Sequence, residues 1–403
     1  MTKRRRVVVT GCGVVAANGR GLDGFFTSLR QGRTGLRTIQ RFDTSSLATR
    51  IGGEIDLETL EFPPALKKGY MWNRVQDAKA FLMWEAIRQI RSLIPKHCGL
   101  ISTIGLERVD LDVLTGKTHD QKPVCPEVPP TILPELLWKT AGFSGPVWLQ
   151  VSACAAGTIA LGTAFRAIRN GACDVLVAGG ADSLLFPYGI HAFNSLGALS
   201  EKNELGAKAL APFDKHRSGT LLGEGAAYLL LEEFEHARAR RRRPLAEVFG
   251  FGASMDAYHP VMPDPSGQGA EQAMRNALAD GGISAEKIDY INAHGTGTFH
   301  NDLMESKAIL SVFGDRGRTL PVSSSKTFFG HLLTAAGAVE AAATLLPLIE
   351  DIIPPTLHFQ TPDPDIPLDC VPNQSRKGEV RLAMTNSYGL GGQNASLIIG
   401  KPV

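Results

Sequence analysis

A short run of β-branched residues that ends in glycine and leads into an amphipathic helix occurs early in this chain. It recurs beyond a basic hinge, and that alternation is what most limits the fold. Val7, Val8, Val9 and Thr10 run into Gly11-Cys12-Gly13 and then into a helical pattern around Leu22 to Leu29. Residues 72–94 carry a longer amphipathic helix, and Val175 to Ala178 form a short buried strand closed by Gly179-Gly180. After Arg240 to Pro244 the elements return: strand Ala246–Gly252, helix Gly269–Asp280, strand Ile288–Ala293, helix Asp302–Phe313, strand Leu320–Ser324 and helix Leu332–Ile349. Strands around Arg381–Asn386 and Ala395–Gly400 close the chain. Strands alternating with helices predict an α/β sandwich with central sheets. The recurrence predicts two related halves, 1–245 and 246–403, although residue identity alone does not demonstrate a repeat. The five prolines between Pro123 and Pro134 predict a surface loop.

Two lobes suit the length, because a single core stops growing near ~250–300 residues and this chain has 403. With 42 Lys+Arg against 40 Asp+Glu, charge gives no reason to expect nucleic acid or a membrane as partner. Six scattered cysteines without a C-x-x-C pair fit reduced thiols in the cytoplasm and no zinc or other metal site. The basic Lys3 to Arg6 and apolar Val7 to Ala17 imitate a signal peptide, but Thr10, Gly11 and Gly13 break the run where a strand would turn. Ala335 to Ile349 is interrupted by Glu340 and Pro347 and falls short of the ~20 residues of a membrane span. A soluble, cytoplasmic protein is expected. The 43 glycines exceed the ~7% share of ordinary soluble proteins, with no collagen period, and call for a local explanation.

Four segments carry chemistry. In Ser152-Ala153-Cys154-Ala155-Ala156-Gly157, small residues open a helix, and a helix N-terminus favours a thiolate. His294-Gly295-Thr296-Gly297-Thr298 follows a strand, where ligands of α/β proteins gather. Ser323 to His331 sets Lys326 and His331 at another strand-to-helix junction. There a lysine would favour neutral imidazoles and compensate a carboxylate such as Glu305. Asn386 to Asn394 is a glycine-rich turn without the lysine of a phosphate loop, which leaves a backbone donor loop aimed at an oxyanion. Alone, each segment also reads as structure: an inert core cysteine, an exposed histidine in a turn, a solvated lysine.

Together and in this order, the segments resemble the β-ketoacyl synthase family of the thiolase superfamily, specifically the elongating condensing enzymes of fatty acid and type II polyketide assembly. The likeness extends to Val7–Gly19, Ala178–Asp182, Pro212–Gly219, Gly223–Ala226 and Asp256–His259. It implies a thiolase-like fold, two αβαβα halves in a five-layered sandwich. It also implies Cys154 as the acyl-accepting nucleophile, with His294 and His331 handling a malonyl unit, Lys326 supporting them and Glu305 as polar partner. Thr296 and Thr298 match the threonines that hold a phosphopantetheine arm, and the amides of Cys154 and Leu390 match the oxyanion hole. Phe193 matches an aromatic near the acyl pocket. Leu390 replaces a usual aromatic, and Phe329 stands where a small polar residue is usual, so both are expected to reshape that pocket.

The resemblance further implies acyl carrier protein as partner, and a homodimer or a heterodimer with a chain-length-factor-like homologue. No metal or other cofactor is implied, because loss of CO₂ from malonyl itself creates the carbanion. Two alternatives share the fold: a non-catalytic chain-length-factor-type subunit, which typically lacks the cysteine, and a coenzyme A-dependent thiolase, which typically shows a second active cysteine. The arginines from Arg238 to Arg243 are either a solvated helix end or a docking surface for an acidic carrier.

Overall fold

The computed structural model describes residues 4–61, 74–105 and 132–403, and in it the alternation becomes an 11-stranded sheet. Ten of the strands lie in one path: β1 (Val7–Ala16), β2 (Gly99–Ile104), β3 (Val147–Leu149), β4 (Val175–Ser183) and β5 (Glu224–Glu233), then β6 (Ala246–Met255), β7 (Tyr290–Asn292), β8 (Val322–Ser323), β9 (Leu382–Gly389) and β10 (Gln393–Gly400). The remaining one, Gly19–Arg20, hairpins onto β1. The path runs β3-β2-β4-β5-β1 and continues β6-β10-β9-β7-β8. Numbered within each set of five from its outer edge, both read 3-2-4-5-1. Pairing is parallel around β2 and around β7, and antiparallel along β4-β5-β1 and β9-β10-β6. The relation that residue identity leaves hidden is therefore explicit in topology. Three antiparallel pairs, Val7–Val248 to Val9–Ala246, join the halves.

Helix Arg74–Ile90 covers β1, β4 and β5 from outside, and helix Gln268–Gly281 covers β6 and β10. Helices Ala156–Arg169 and Ala336–Glu350 pack on each other between the half-sheets, completing five layers. Strand β5 shows why: Tyr228 and Leu230 join the outer cluster while Leu229 and Leu231 join the central one, so apolar residues are needed on both faces. The central helices cross at glycine. A Cβ on Gly157 would stand 2.6 Å from the Ala338 nitrogen, and one on Gly337 would stand 2.2 Å from Thr158 Oγ1. Each helix is entered through a 3₁₀ turn that starts on a left-handed, non-glycine residue, Ala153 (φ 43°) or Leu333 (φ 50°). Ala155-Ala156-Gly157 and Ala335-Ala336-Gly337 are thus one stretch seen twice, and Cys154 corresponds to Thr334.

Leu333–Glu350 is long and apolar enough by composition to cross a bilayer, but 83% of it is buried inside the protein. It is a core helix. The helix expected from Asp302 starts at Phe299. Residues 72–73, Cys125 and most of the Pro123–Pro134 segment lie outside the described residues, and helix Ile132–Thr140 begins where that segment ends.

Candidate active site

Strand β3 leads into the turn Ala153–Ala155, which holds Cys154 just ahead of the helix that starts at Ala156. The left-handed Ala153 is backbone strain of the kind that clusters at functional sites. Cys154 is buried in a cluster with Ile190, Leu199, Leu222 and Leu333, and Phe193 packs against it. Burial pushes the thiol up to about 11, with the Leu390 N–H and the Lys326 charge acting the other way. Burial thus works against the thiolate that the helix end favours. An apolar pocket penalises the charged sulfur by more than the helix end and its neighbours repay.

The turn between β9 and β10 folds over Cys154. The Leu390 amide reaches the sulfur, and a Cβ on Gly389 would lie 3.1 Å from the Cys154 nitrogen, so a glycine there eases the close approach of the hairpin. The other half of the fold supplies an internal comparison. At Thr334, the counterpart of Cys154, the N–H and Oγ1 donate to Asp182 Oδ2 at 3.1 and 2.7 Å. The fold itself thus sets an anion against the equivalent amide.

His294 lies two residues beyond β7, its turn held by Glu305, whose Oε1 and Oε2 accept from the N–H groups of His294 and Gly295 at 2.9 and 2.8 Å. Lys326 Nζ donates to the His294 carbonyl at 2.5 Å, contacts His294 Nδ1 at 3.2 Å and pairs with Glu340. An ammonium has donors only, so Nδ1 accepts and Nε2 carries the ring proton. His331 is fixed by the first half of the chain. Its N–H donates to the Leu221 carbonyl at 2.8 Å, and its carbonyl accepts from Gly223 at 3.0 Å. The two imidazoles meet edge to face with centroids 5.4 Å apart. Burial, reinforced by the Lys326 charge, holds both well below the ordinary histidine value, so both are neutral.

Cys154, His294, His331, Lys326, Leu390 and Phe193 are thus brought together. Thr296 and Thr298 lie beside them on the same loop, their hydroxyls 2.8 Å apart. Glu305 is a polar partner of the site through main chain, with the Lys326 charge also acting on it, while the carboxylate paired directly with Lys326 is Glu340, both side chains being fully buried. One expectation is corrected. Phe329 does not join the cluster of Cys154; its ring stacks on Phe25 in the central layer, with centroids 5.9 Å apart. The sequence reading also missed Tyr388, which packs on His294. The signal for Glu340 was present as a lone acid inside an apolar, alanine-rich helix, whereas Tyr388 had no signal beyond its place in the glycine loop.

Two sequence profiles match this chain: "Beta-ketoacyl synthase, N-terminal domain" over residues 4–237 and "Beta-ketoacyl synthase, C-terminal domain" over residues 245–360. The 3-oxoacyl-[acyl-carrier-protein] synthase 2 of Coxiella burnetii is 37% identical, with 99% of each chain covered. Among solved structures, the ishigamide ketosynthase/chain length factor superposes with a TM-score of 0.87 at 33% identity, covering 100% of both chains. A type II polyketide synthase acyl-carrier protein in complex with its ketosynthase bound to the hexaketide gives a TM-score of 0.86 at 30% identity, covering 99% of this chain and 100% of that one.

Proposed function

The chain belongs to the β-ketoacyl synthase family of condensing acyltransferases, and from that premise we propose how its own residues divide a decarboxylative Claisen condensation in fatty acid or polyketide biosynthesis. Cys154 takes the acyl group from a carrier thioester, its proton leaving with the departing pantetheine thiol. A malonyl thioester then loses CO₂, and the electron pair stays as an enolate whose oxygen meets the His294 Nε2–H and the imidazole of His331. The enolate carbon attacks the acyl-Cys154 carbonyl. The amides of Cys154 and Leu390 hold the resulting oxyanion until it collapses to the β-ketoacyl product and frees the cysteine. One observation carries this reading: the Lys326 contact at His294 Nδ1, which leaves a neutral Nε2–H donor facing a second neutral imidazole.

His294→Ala or His331→Ala is expected to lower malonyl decarboxylation by roughly 10²–10⁴-fold, measured as CO₂ release from malonyl-carrier. Full condensation by either variant would end the assignment. A pH prediction follows from Glu305, whose carboxyl burial pushes up to about 7. A raised carboxyl is protonated below that value, so its hold on the His294 turn weakens as pH falls through about 7 and decarboxylation falls with it. In Glu305→Gln this titration should vanish from the pH–rate profile.

The presence of Cys154 together with His294 and His331 disfavours a non-catalytic subunit, and the Lys326-supported histidine pair disfavours a thiolase. Partners follow from the surface. The outer edge of the sheet at β3 exposes Trp148 (49%), and Val151 just beyond it is 51% exposed, an apolar edge that calls for a covering strand. A second thiolase-like chain, another copy or a chain-length-factor-like homologue, fits that edge. Thr296 and Thr298 would hold the arm of an acyl carrier protein. The place of the arginines near Arg240 favours a solvated helix end: Leu222 of the Cys154 cluster precedes the Glu224 end of β5 and the arginines follow its Glu233 end, about 30 Å away at the rise of a strand.

A further inference from the structure

Tyr388 is the penultimate residue of β9, next to Gly389 at the start of the turn that reaches Cys154, and it is only 5% exposed. Its ring meets the His294 imidazole at 5.6 Å between centroids and 67° between planes. His331 meets the same imidazole at 5.4 Å and 84°, while Lys326 occupies Nδ1. The imidazole is thereby held at three places, and Tyr388 is the one the reaction outlined above leaves without a task. Its hydroxyl is buried with no hydrogen-bond partner among the described residues. Burial, with the charges of Glu305 and Asp256, pushes its ionisation well above the usual tyrosine value, so it stays neutral. An unpaired buried hydroxyl is a cost rather than a tether, which leaves the ring as the working part.

We propose that Tyr388 is a positioning residue for the decarboxylation step, its ring fixing the plane of His294 so that the Nε2–H points at the enolate oxygen. This rests on His294 acting as the enolate donor. Edge-to-face pairs are weak but directional, and donors aimed at developing charge lose effect when misaligned by some 10–20°.

The test measures decarboxylation of malonyl-carrier and, separately, acyl loading of Cys154 by intact mass spectrometry. Tyr388→Leu is expected to lower decarboxylation kcat roughly three- to tenfold, with KM and acyl loading unchanged. Tyr388→Phe, which keeps the ring, is expected to restore kcat and raise the thermal midpoint by removing the orphaned hydroxyl. Wild-type kcat in Tyr388→Leu, an equal loss of acyl loading, or a Tyr388→Phe as slow as Tyr388→Leu would each overturn the proposal. His294→Ala run alongside separates the two levels: if it retains decarboxylation, the role of His294 fails, and not merely that of Tyr388.

Discussion

Cys154→Ala is expected to show no acyl adduct by intact mass spectrometry and to lose condensation by at least ~10⁴-fold, the scale seen when a nucleophile is removed. Malonyl decarboxylation should persist or rise, because His294, His331 and Lys326 are untouched and the space over the turn is less crowded. The pairing of these outcomes matters. A structural cysteine would lose both activities together through misfolding, whereas a nucleophile loses one. The buried thiol adds a second reading of the same residue. With its ionisation pushed up to about 11, the thiolate fraction, and with it the alkylation rate of Cys154, should climb about tenfold per pH unit from 7 to 10. A plateau near pH 7 would show that the helix end, and not burial, governs the sulfur.

Breaking the Lys326–Glu340 pair should have the largest effect on stability. Both side chains are fully buried, and removing one partner of such a pair typically costs about 3–5 kcal/mol because the other charge is stranded. Lys326→Ala and Glu340→Leu are each expected to lower the unfolding midpoint in denaturant accordingly. The double variant Lys326→Met/Glu340→Leu should recover most of that loss, since it replaces two charges with apolar volume. Decarboxylation should not recover. Without a donor at His294 Nδ1, the ring proton is free to sit on the wrong nitrogen, and a deficit of roughly 10²-fold or more should remain. Restored decarboxylation in the double variant would show that Lys326 serves stability alone.

Much of this site was legible from local pattern. His294 after a strand, Cys154 among small residues, and Lys326 five positions before His331 all lie in contiguous segments whose spacing survives folding. Glu340 was readable only as an oddity, a charge in a helix otherwise rich in alanine and leucine, because its partner lies fourteen residues away. Phe329 misled for the opposite reason. Its neighbours in sequence belong to the site, but its ring turns to Phe25 in the central layer, and the direction of a side chain leaving a short helical turn is decided by packing.

By itself, the sequence determined the layer class and the family resemblance and singled out Cys154, His294 and His331 as candidates, because those depend on periodicity and on residue type at close spacing. Tertiary structure alone decided the rest. It showed that both halves share one strand order and that Thr334 mirrors Cys154. It also brought in the burial that pushes the thiol up and holds both imidazoles below the ordinary histidine value. The reason is that desolvation and charge act through space: how far a group lies from water and from Lys326 is set by which layers close over it, and no local stretch of chain records that distance.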